Sequence, residues 1–458
     1  MRAVMVAGDR SGSGKTSITL AIAALLSEEM RVQTFKVGMD YIDPSYLTGV
    51  TGRPCRNLDS FVMSEQELAG IVAHGLEGAD LGIIEGVRGL YEGAESLGDS
   101  GSSASVAKFL KVPVVLVVSA RSITRSAAAI VKGFQSFDPG VTIRGVILNN
   151  VAGRQHIRKA TEAIEHHCGI PVLGAVPRQP EMELTMRHLG LVPFREGKTA
   201  PAFLERITEI TRMAGEHIDL DALLGLAGEI TLPSSPDPAF LPADDPDITV
   251  GIALDEAFNF YYADLFDVLR AEGAKVLPFS PLHGRLPPAN GYILGGGYPE
   301  LFLPELEGND AMREAVRDCS RAGTPIYAEC GGLMYLTEQI RTRPGWQGSD
   351  REESSAMCGV FSGETVMPAR RVVSYVEGES FSGNPVGPGH FRGHEFHYSD
   401  VLLSGDTRFS YRLSRGYGIQ GQLDGAVREQ TLGSYTHLHP VSSRGMITSF
   451  LQACRSRC

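Results

Sequence analysis

Two segments of this 458-residue chain carry residue types at the spacings that chemistry needs. The first is Gly8-Asp-Arg-Ser-Gly-Ser-Gly-Lys15-Thr16, which follows a short apolar run and precedes an apolar-periodic segment. A strand, a Gly-rich loop and a helix amino terminus turn backbone N–H groups and the positive dipole end toward phosphate oxygens. Gly12 and Gly14 let the backbone approach, Lys15 would reach the β- and γ-phosphates of ATP, and Thr16 would hold Mg²⁺. Gly8 and Gly14 enclose one residue more than the common spacing, so the match rests on the GSGKTS core and its strand-loop-helix setting.

The second segment is TPIYAECGGLMYL, an apolar strand, a sharp turn at Glu329-Cys330-Gly331-Gly332 and a helix. Such an elbow exposes a nucleophile at a helix amino terminus, where the dipole lowers a thiol pKa, so Cys330 reads as the nucleophile. Upstream, YILGGGYPE sets Gly295, Gly296 and Gly297 behind another strand, with Gly296 and Gly297 as expected oxyanion donors. A thiol also needs a base, which can lie far away in sequence. His390, His394 and His397 in GHFRGHEFHYSD and His437 and His439 in GSYTHLHP are the candidates, and local chemistry does not choose among them. HEFH lacks the HExxH spacing, so this cluster is not read as a zinc site.

Two more strand ends should join the phosphate loop, because ligands of open α/β sheets gather at the carboxyl ends of the strands. FKVGMDYIDP carries Lys36, Gly38, Asp40, Tyr41 and Asp43, and LGIIEGVRGLYEG carries Glu85. A carboxylate that ends an apolar strand is a natural Mg²⁺ ligand, which makes Thr16, Asp43 and Glu85 the expected metal set. Asp40 and Asp43 are hard to separate, since either could serve the metal, the substrate or the turn before Pro44. Asn149, closing GVILNN, sits where a nucleotide base would be read.

The elements that must position these residues are visible in the patterning. Short β-branched runs at 3–7, 32–37, 81–84, 112–118, 145–148 and 172–175 alternate with helical spacing at 17–29 and 64–75. That is the signature of βαβ units and a parallel sheet covered on both faces. The stretch 226–246, rich in Pro, Asp and Ser from Leu232 onward, reads as a linker, giving domains 1–225 and 247–458. The second domain alternates again through 248–254, 275–278, 291–294 and 325–328, then changes after Cys358 to strand-like pieces with Gly and Pro turns. A helix at 443–453 closes it.

Composition narrows the function classes. The net charge is −12, with no basic run to offset it, so nucleic acid and anionic membrane are not expected partners. The longest apolar run, 112–118, is far short of a membrane span. MRAVMVAGDR does not read as a signal peptide, so a cytoplasmic protein is expected. Seven scattered cysteines without a CxxC argue against a disulfide framework.

The ordered set GDRSGSGKT, FKVGMDYIDP, CRNLD, EGVRGLYEG, LNN, GGGYPE, YAECGG, HEFHYS and SYTHLH resembles the cobyrinate a,c-diamide synthase family over nearly the whole chain. That family includes the Ni-sirohydrochlorin a,c-diamide synthases of coenzyme F430 biosynthesis. The resemblance implies an α/β protein: a P-loop, dethiobiotin-synthetase-like parallel-sheet domain fused to a class I glutamine amidotransferase-like domain. It implies ATP and Mg²⁺ as cofactors, a tetrapyrrole and L-glutamine as small-molecule partners, and leaves room for a homodimer. It makes Cys330 the nucleophile and His437 the residue that activates it. Where class I amidotransferases commonly carry Glu two residues after that His, this chain has His439, so the third member stays open.

The implied reaction releases ammonia from glutamine at Cys330 and transfers it to a tetrapyrrole carboxylate activated by ATP as an acyl phosphate. LYEGAESLGDSGSSASVA resembles the family's substrate-side loop, adding Glu92 and Ser102, beside Ser103, to Asp40, Tyr41 and Arg178 as substrate candidates. Leu47 stands where a His is expected in many cobyrinate enzymes, a hint toward Ni-sirohydrochlorin. A polycarboxylate substrate of an acidic protein calls for a local basic pocket, for which Lys36, Arg88, Arg154 and Arg178 are the expected cations. Two other readings compete: a cobyric acid synthase, and a partitioning-type switch ATPase. The latter would carry Lys where Arg10 stands and would have no use for the Cys330 elbow.

Overall fold

The computed structural model describes residues 1–179, 186–187, 190–230 and 237–456, with only the backbone described at 186–187 and 190–191. The chain forms two compact units, Met1–Asp237 and Pro238–Cys458.

The first unit runs β1 (Arg2–Gly8), α1 (Lys15–Ser27), β2 (Val32–Val37), α2 (Ile42–Thr51), β3 (Arg56–Leu58), α3 (Glu65–Leu76), β4 (Leu81–Glu85), α4 (Ser103–Leu110), β5 (Val114–Ser119), α5 (Arg125–Phe137), β6 (Ile143–Val151), α6 (Arg154–Cys168) and β7 (Val172–Pro177). Short pieces follow: β8 (Met186–Arg187), β9 (Gly190–Leu191), α7 (Phe194–Gly197), α8 (Pro201–Gly215), α9 (Leu220–Leu226) and β10 (Gly228–Glu229). The sheet order is β3-β2-β4-β1-β5-β6-β7, parallel throughout, with β10 added antiparallel to β1. β2 and β4 are buried at every position, as central strands of a sheet covered on both faces are, although β2 carries Gln33, Thr34 and Lys36 and β4 ends in Glu85. α3 starts at a capping box, in which Ser64 and Glu67 satisfy each other's backbone N–H groups.

Part of the stretch expected to be a linker is built into the units. Gly228–Glu229 pair with β1, the Ile230 N–H donates to the Met1 carbonyl, and Pro238–Phe240 form a 3-10 turn with Ala239 and Phe240 buried. Residues 231–236 of that stretch lie outside the described residues.

The second unit begins with β11 (Ile248–Ala253), β12 (Phe258–Phe260), α10 (Ala263–Ala271), β13 (Ala274–Phe279), β14 (Gly291–Leu294), β15 (Gly296–Gly297), α11 (Leu303–Gly308), α12 (Asp310–Arg321), β16 (Ile326–Glu329) and α13 (Gly331–Leu336). It continues with β17 (Gln339–Thr342), β18 (Glu353–Ala356), β19 (Gly363–Met367), β20 (Val372–Ser380), β21 (Gly389–His397), β22 (Asp400–Leu403), β23 (Arg408–Arg415), β24 (Leu423–Arg428), β25 (Thr431–Ser434), β26 (His437–Leu438) and α14 (Arg444–Arg455). Its main sheet runs β13-β11-β14-β16-β25-β24-β23-β20-β21-β26. The pairings are parallel as far as β16–β25 and antiparallel beyond it. Phe258, Leu294, Ala328, Leu333, Tyr335 and Tyr435 pack in one core cluster that includes Cys330.

Candidate active sites

In the first unit, β1 delivers the Gly-rich loop and α1 begins at Lys15 itself. Gly14 caps that helix at φ 91°, a left-handed conformation, and a Cβ there would overlap the Asn149 amide, so both backbone and space demand glycine. Asn149, from the end of β6, donates from Nδ2 to the Ser13 carbonyl at 2.9 Å. The residue expected to read a base therefore braces the loop. Asn149→Ala removes one buried hydrogen bond worth about 1 kcal/mol, so nucleotide KM is expected to rise about fivefold. If Asn149 acts through the loop, steady-state kinetics with ATP and GTP should show the same factor for both, and a change confined to ATP would restore base reading.

Behind the loop the expected metal residues converge. The Thr16 hydroxyl donates to Glu85 Oε1 at 2.7 Å and lies 3.3 Å from Asp43 Oδ2. Lys36 stands directly across from Glu85 in the β2–β4 register and donates to Glu85 Oε1 at 2.7 Å and to Asp43 Oδ2 at 2.6 Å. Burial opposes the Lys36 charge, yet Asp43 and Glu85 outweigh it and raise the pKa. Burial raises Glu85, while at Asp43 the pull of Lys36 overcomes burial and lowers the carboxyl. Lys15, nine-tenths buried, is lowered by burial and by the neighbouring Lys36 charge.

The expected substrate residues are mostly engaged in local structure. Asp40 accepts from the Ile42 and Asp43 N–H groups and so opens α2; burial and Asp43 push it up to about 7. Tyr41 is half-buried at the same helix start. Glu92 accepts from the Gly89 N–H at 2.7 Å. Ser102 is buried and caps α4 by accepting from the Ser105 N–H, and Ser103 accepts from the Val87 N–H. Arg178, Arg88 and Arg154 are exposed, whereas Lys36, expected among the substrate cations, has its charge held by two buried or half-buried carboxylates. Leu47 is buried in α2, so it packs rather than lines a surface.

In the second unit Cys330 sits at φ 46° and ψ −98°, a sparsely populated conformation, at the turn between β16 and α13. The two glycines that follow allow the elbow: a Cβ on Gly332 would overlap the Leu294 carbonyl, and one on Gly331 would lie 3.1 Å from the Gly297 nitrogen. Gly296 and Gly297 form a short ladder with β12, while the Gly295 N–H donates to the Tyr261 hydroxyl. The expected dipole-lowered thiol is not what the structure holds. α13 has six residues, and burial, with Glu300 and Glu329 nearby, pushes the Cys330 pKa up. Deprotonation therefore needs a base rather than a helix end.

His437, the residue expected to activate the thiol, lies against the Gly296 backbone, its Cε1 2.8 Å from where a Cβ on Gly296 would sit. Its Nδ1 is 3.1 Å from Glu329 Oε2. His394 is paired with it across β21–β26 and stacks on it with centroids 4.9 Å apart. Cys330 Sγ lies 3.7 Å from the Phe396 carbonyl on that same strand. The other histidines go elsewhere. His439 lies 3.3 Å from Asp264, both fully buried, His397 stacks on Tyr435, and His390 is exposed. In sequence Glu329 reads only as a turn residue beside the nucleophile; its contact with His437 joins residues more than a hundred positions apart.

Residues 4–192 match the family model described as a CobQ/CobB/MinD/ParA nucleotide binding domain, and residues 249–445 match that of a CobB/CobQ-like glutamine amidotransferase domain. The chain is 49% identical to the cobyrinate a,c-diamide synthase of Methanosarcina acetivorans, covering 98% of this chain and 95% of that protein. It is 47% identical to that of Methanosarcina barkeri, over 99% and 96%. With the enzyme of the same name from Methanothermobacter thermautotrophicus it shares 44%, over 98% of each. No helix among the described residues is long and apolar enough to cross a membrane.

Proposed function

The chain belongs to the cobyrinate a,c-diamide synthase family, carbon–nitrogen ligases with a glutamine amidotransferase domain, and from that premise we propose that it joins two half-reactions to amidate a tetrapyrrole at its a- and c-carboxylates. What supports this reading is that one chain carries two chemically different sets of residues, a phosphate loop backed by Thr16, Asp43 and Glu85 and a strained Cys330 elbow whose preceding Glu329 contacts His437.

At the second site His437 takes the proton of Cys330, whose burial makes that transfer necessary. The thiolate attacks the glutamine side-chain amide, ammonia leaves with a proton returned by His437, and water hydrolyses the γ-glutamyl thioester. Amides near Gly296 and Gly297 would meet the oxyanion. At the first site Lys15 and the loop N–H groups stabilise charge on the phosphoryl group as it passes from ATP to a substrate carboxylate. The acyl phosphate gives ammonia a leaving group to displace, and the amide forms with release of phosphate.

The residues present suit a magnesium ion. Thr16, Asp43 and Glu85 offer hard oxygen donors, and Glu85 Oε2 is buried with no hydrogen-bond partner among the described residues. Thr16, Asp43 and Glu85 would hold such an ion, which would neutralise negative charge on the nucleotide phosphates. Cobyrinate is the acceptor stated in the names of the relatives, and the buried Leu47 lends no support to a different macrocycle.

Incubation with ATP, Mg²⁺, glutamine and either cobyrinate or Ni-sirohydrochlorin, followed by mass spectrometry, tests the proposal. Two carboxylate-to-amide exchanges on at least one of these are expected. Additions at other side chains would point to a cobyric acid synthase, and nucleotide hydrolysis without any amidation would sink the reading.

A further inference from the structure

We propose that Glu329, the residue immediately before the nucleophile, is the positioning carboxylate that replaces the missing third member of the Cys330–His437 site; this rests on the reading of that site as the glutamine-hydrolysing one. The position two residues after His437 cannot supply it, because His439 is fully buried against Asp264 and carries no carboxylate. Glu329 reaches the imidazole from the opposite direction. It ends β16, whose parallel register sets it across from Ser434, three residues before His437.

Three donors converge on its two oxygens. The Tyr327 hydroxyl donates to Oε1 at 2.6 Å, the Leu438 N–H donates to Oε1 at 3.1 Å, and His437 Nδ1 faces Oε2 at 3.1 Å. A carboxylate that accepts at both oxygens needs the proton on Nδ1, which leaves the lone pair on Nε2. It also stabilises the imidazolium once the Cys330 proton arrives, as the aspartate of a Ser-His-Asp triad does. A single residue step thus ties the base to the backbone that carries the nucleophile.

Glu329→Gln separates this role from packing. With Oε1 still accepting from Tyr327 and Leu438, the amide nitrogen faces Nδ1 and favours the tautomer whose lone pair points away from the thiol. The kcat for glutamine hydrolysis is expected to fall by about 10²- to 10⁴-fold. KM should be little changed, and amidation driven by ammonium salts should persist, reporting an intact fold. Because the imidazolium loses its counter-charge, the acid limb of kcat/KM moves to lower pH.

The groups that face His437 in that profile are Glu329 from β16, with Tyr327 behind it, and His394 from β21, with His439 and Asp264 beyond. Glu329→Asp keeps the charge and should keep the wild-type acid limb at a lowered kcat. A Gln variant with wild-type kcat and an unmoved acid limb overturns the proposal, as does an acid limb that moves instead in His439→Gln. If the Gln variant does not fold, the Asp variant decides: an acid limb displaced as though the charge were gone counts against the role. Glutamine hydrolysis surviving in Cys330→Ala sinks the reading of the site itself, whereas an unaltered Glu329→Gln beside an inactive Cys330→Ala sinks only the positioning role.

Discussion

Replacing Cys330 by Ala is expected to lower glutamine-dependent amidation by at least about 10³-fold while ammonium salts sustain the ligase reaction at the wild-type rate. The size follows from the chemistry: no other side chain at the elbow offers a nucleophile, so the thioester cannot form. Selectivity follows from the architecture, because Cys330 is built from β16 and α13 of the second unit, whereas the phosphate loop is built from β1 and α1 of the first. Alanine removes a single sulfur atom from the core cluster that also holds Leu333 and Tyr435 and introduces no polar or bulky group, so the fold should tolerate it. The assay is amide formation by mass spectrometry with glutamine and with ammonium chloride in parallel. Loss of both activities in a folded variant would show that the two sites are not separable.

The reciprocal variant, Lys15→Ala, is expected to abolish amidation with either nitrogen source, by about 10²- to 10³-fold or more, since it removes a fixed charge from the transferring phosphoryl group. Lys15 opens α1, and burial with the Lys36 charge lowers its pKa, so its ammonium is little screened by solvent. Cys330 should still be trapped covalently by a diazoketone analogue of glutamine, which reads the second site without ATP. Retention of amidation in this variant would place phosphoryl transfer elsewhere.

Much of this arrangement is legible in the amino-acid sequence. Buried parallel strands announce themselves as short runs rich in apolar and β-branched residues, so β1, β2, β4 and β5 lie where patterning puts them, to within a residue or two. The loop from Gly8 to Thr16 and the turn at Cys330 are local devices whose conformations are dictated by glycines a residue or two away, and local devices can be read locally. β3 and α2 leave no such signal, because three residues of strand and a ten-residue helix carrying Pro44 and Gly49 give little period to detect.

The charges at both sites could not be read that way. Lys36 looked like a substrate cation until the β2–β4 register set it opposite Glu85, where attraction at hydrogen-bond distance in a buried setting dominates its behaviour. Cys330 looked like a thiol sharpened by a helix dipole, yet six residues of helix do not offset burial beside two carboxylates. Asn149, placed by β6 against Ser13, became a brace for the loop.

Residue identity and spacing alone, then, determined which side chains are equipped for phosphate binding and for thiol attack, because each motif is a contiguous turn between a strand and a helix. Tertiary structure decided which groups share a proton or a charge. Whether Glu329 meets His437, or Lys36 meets Glu85, depends on strand register between segments distant in the chain, and register is set by the packing of whole sheets.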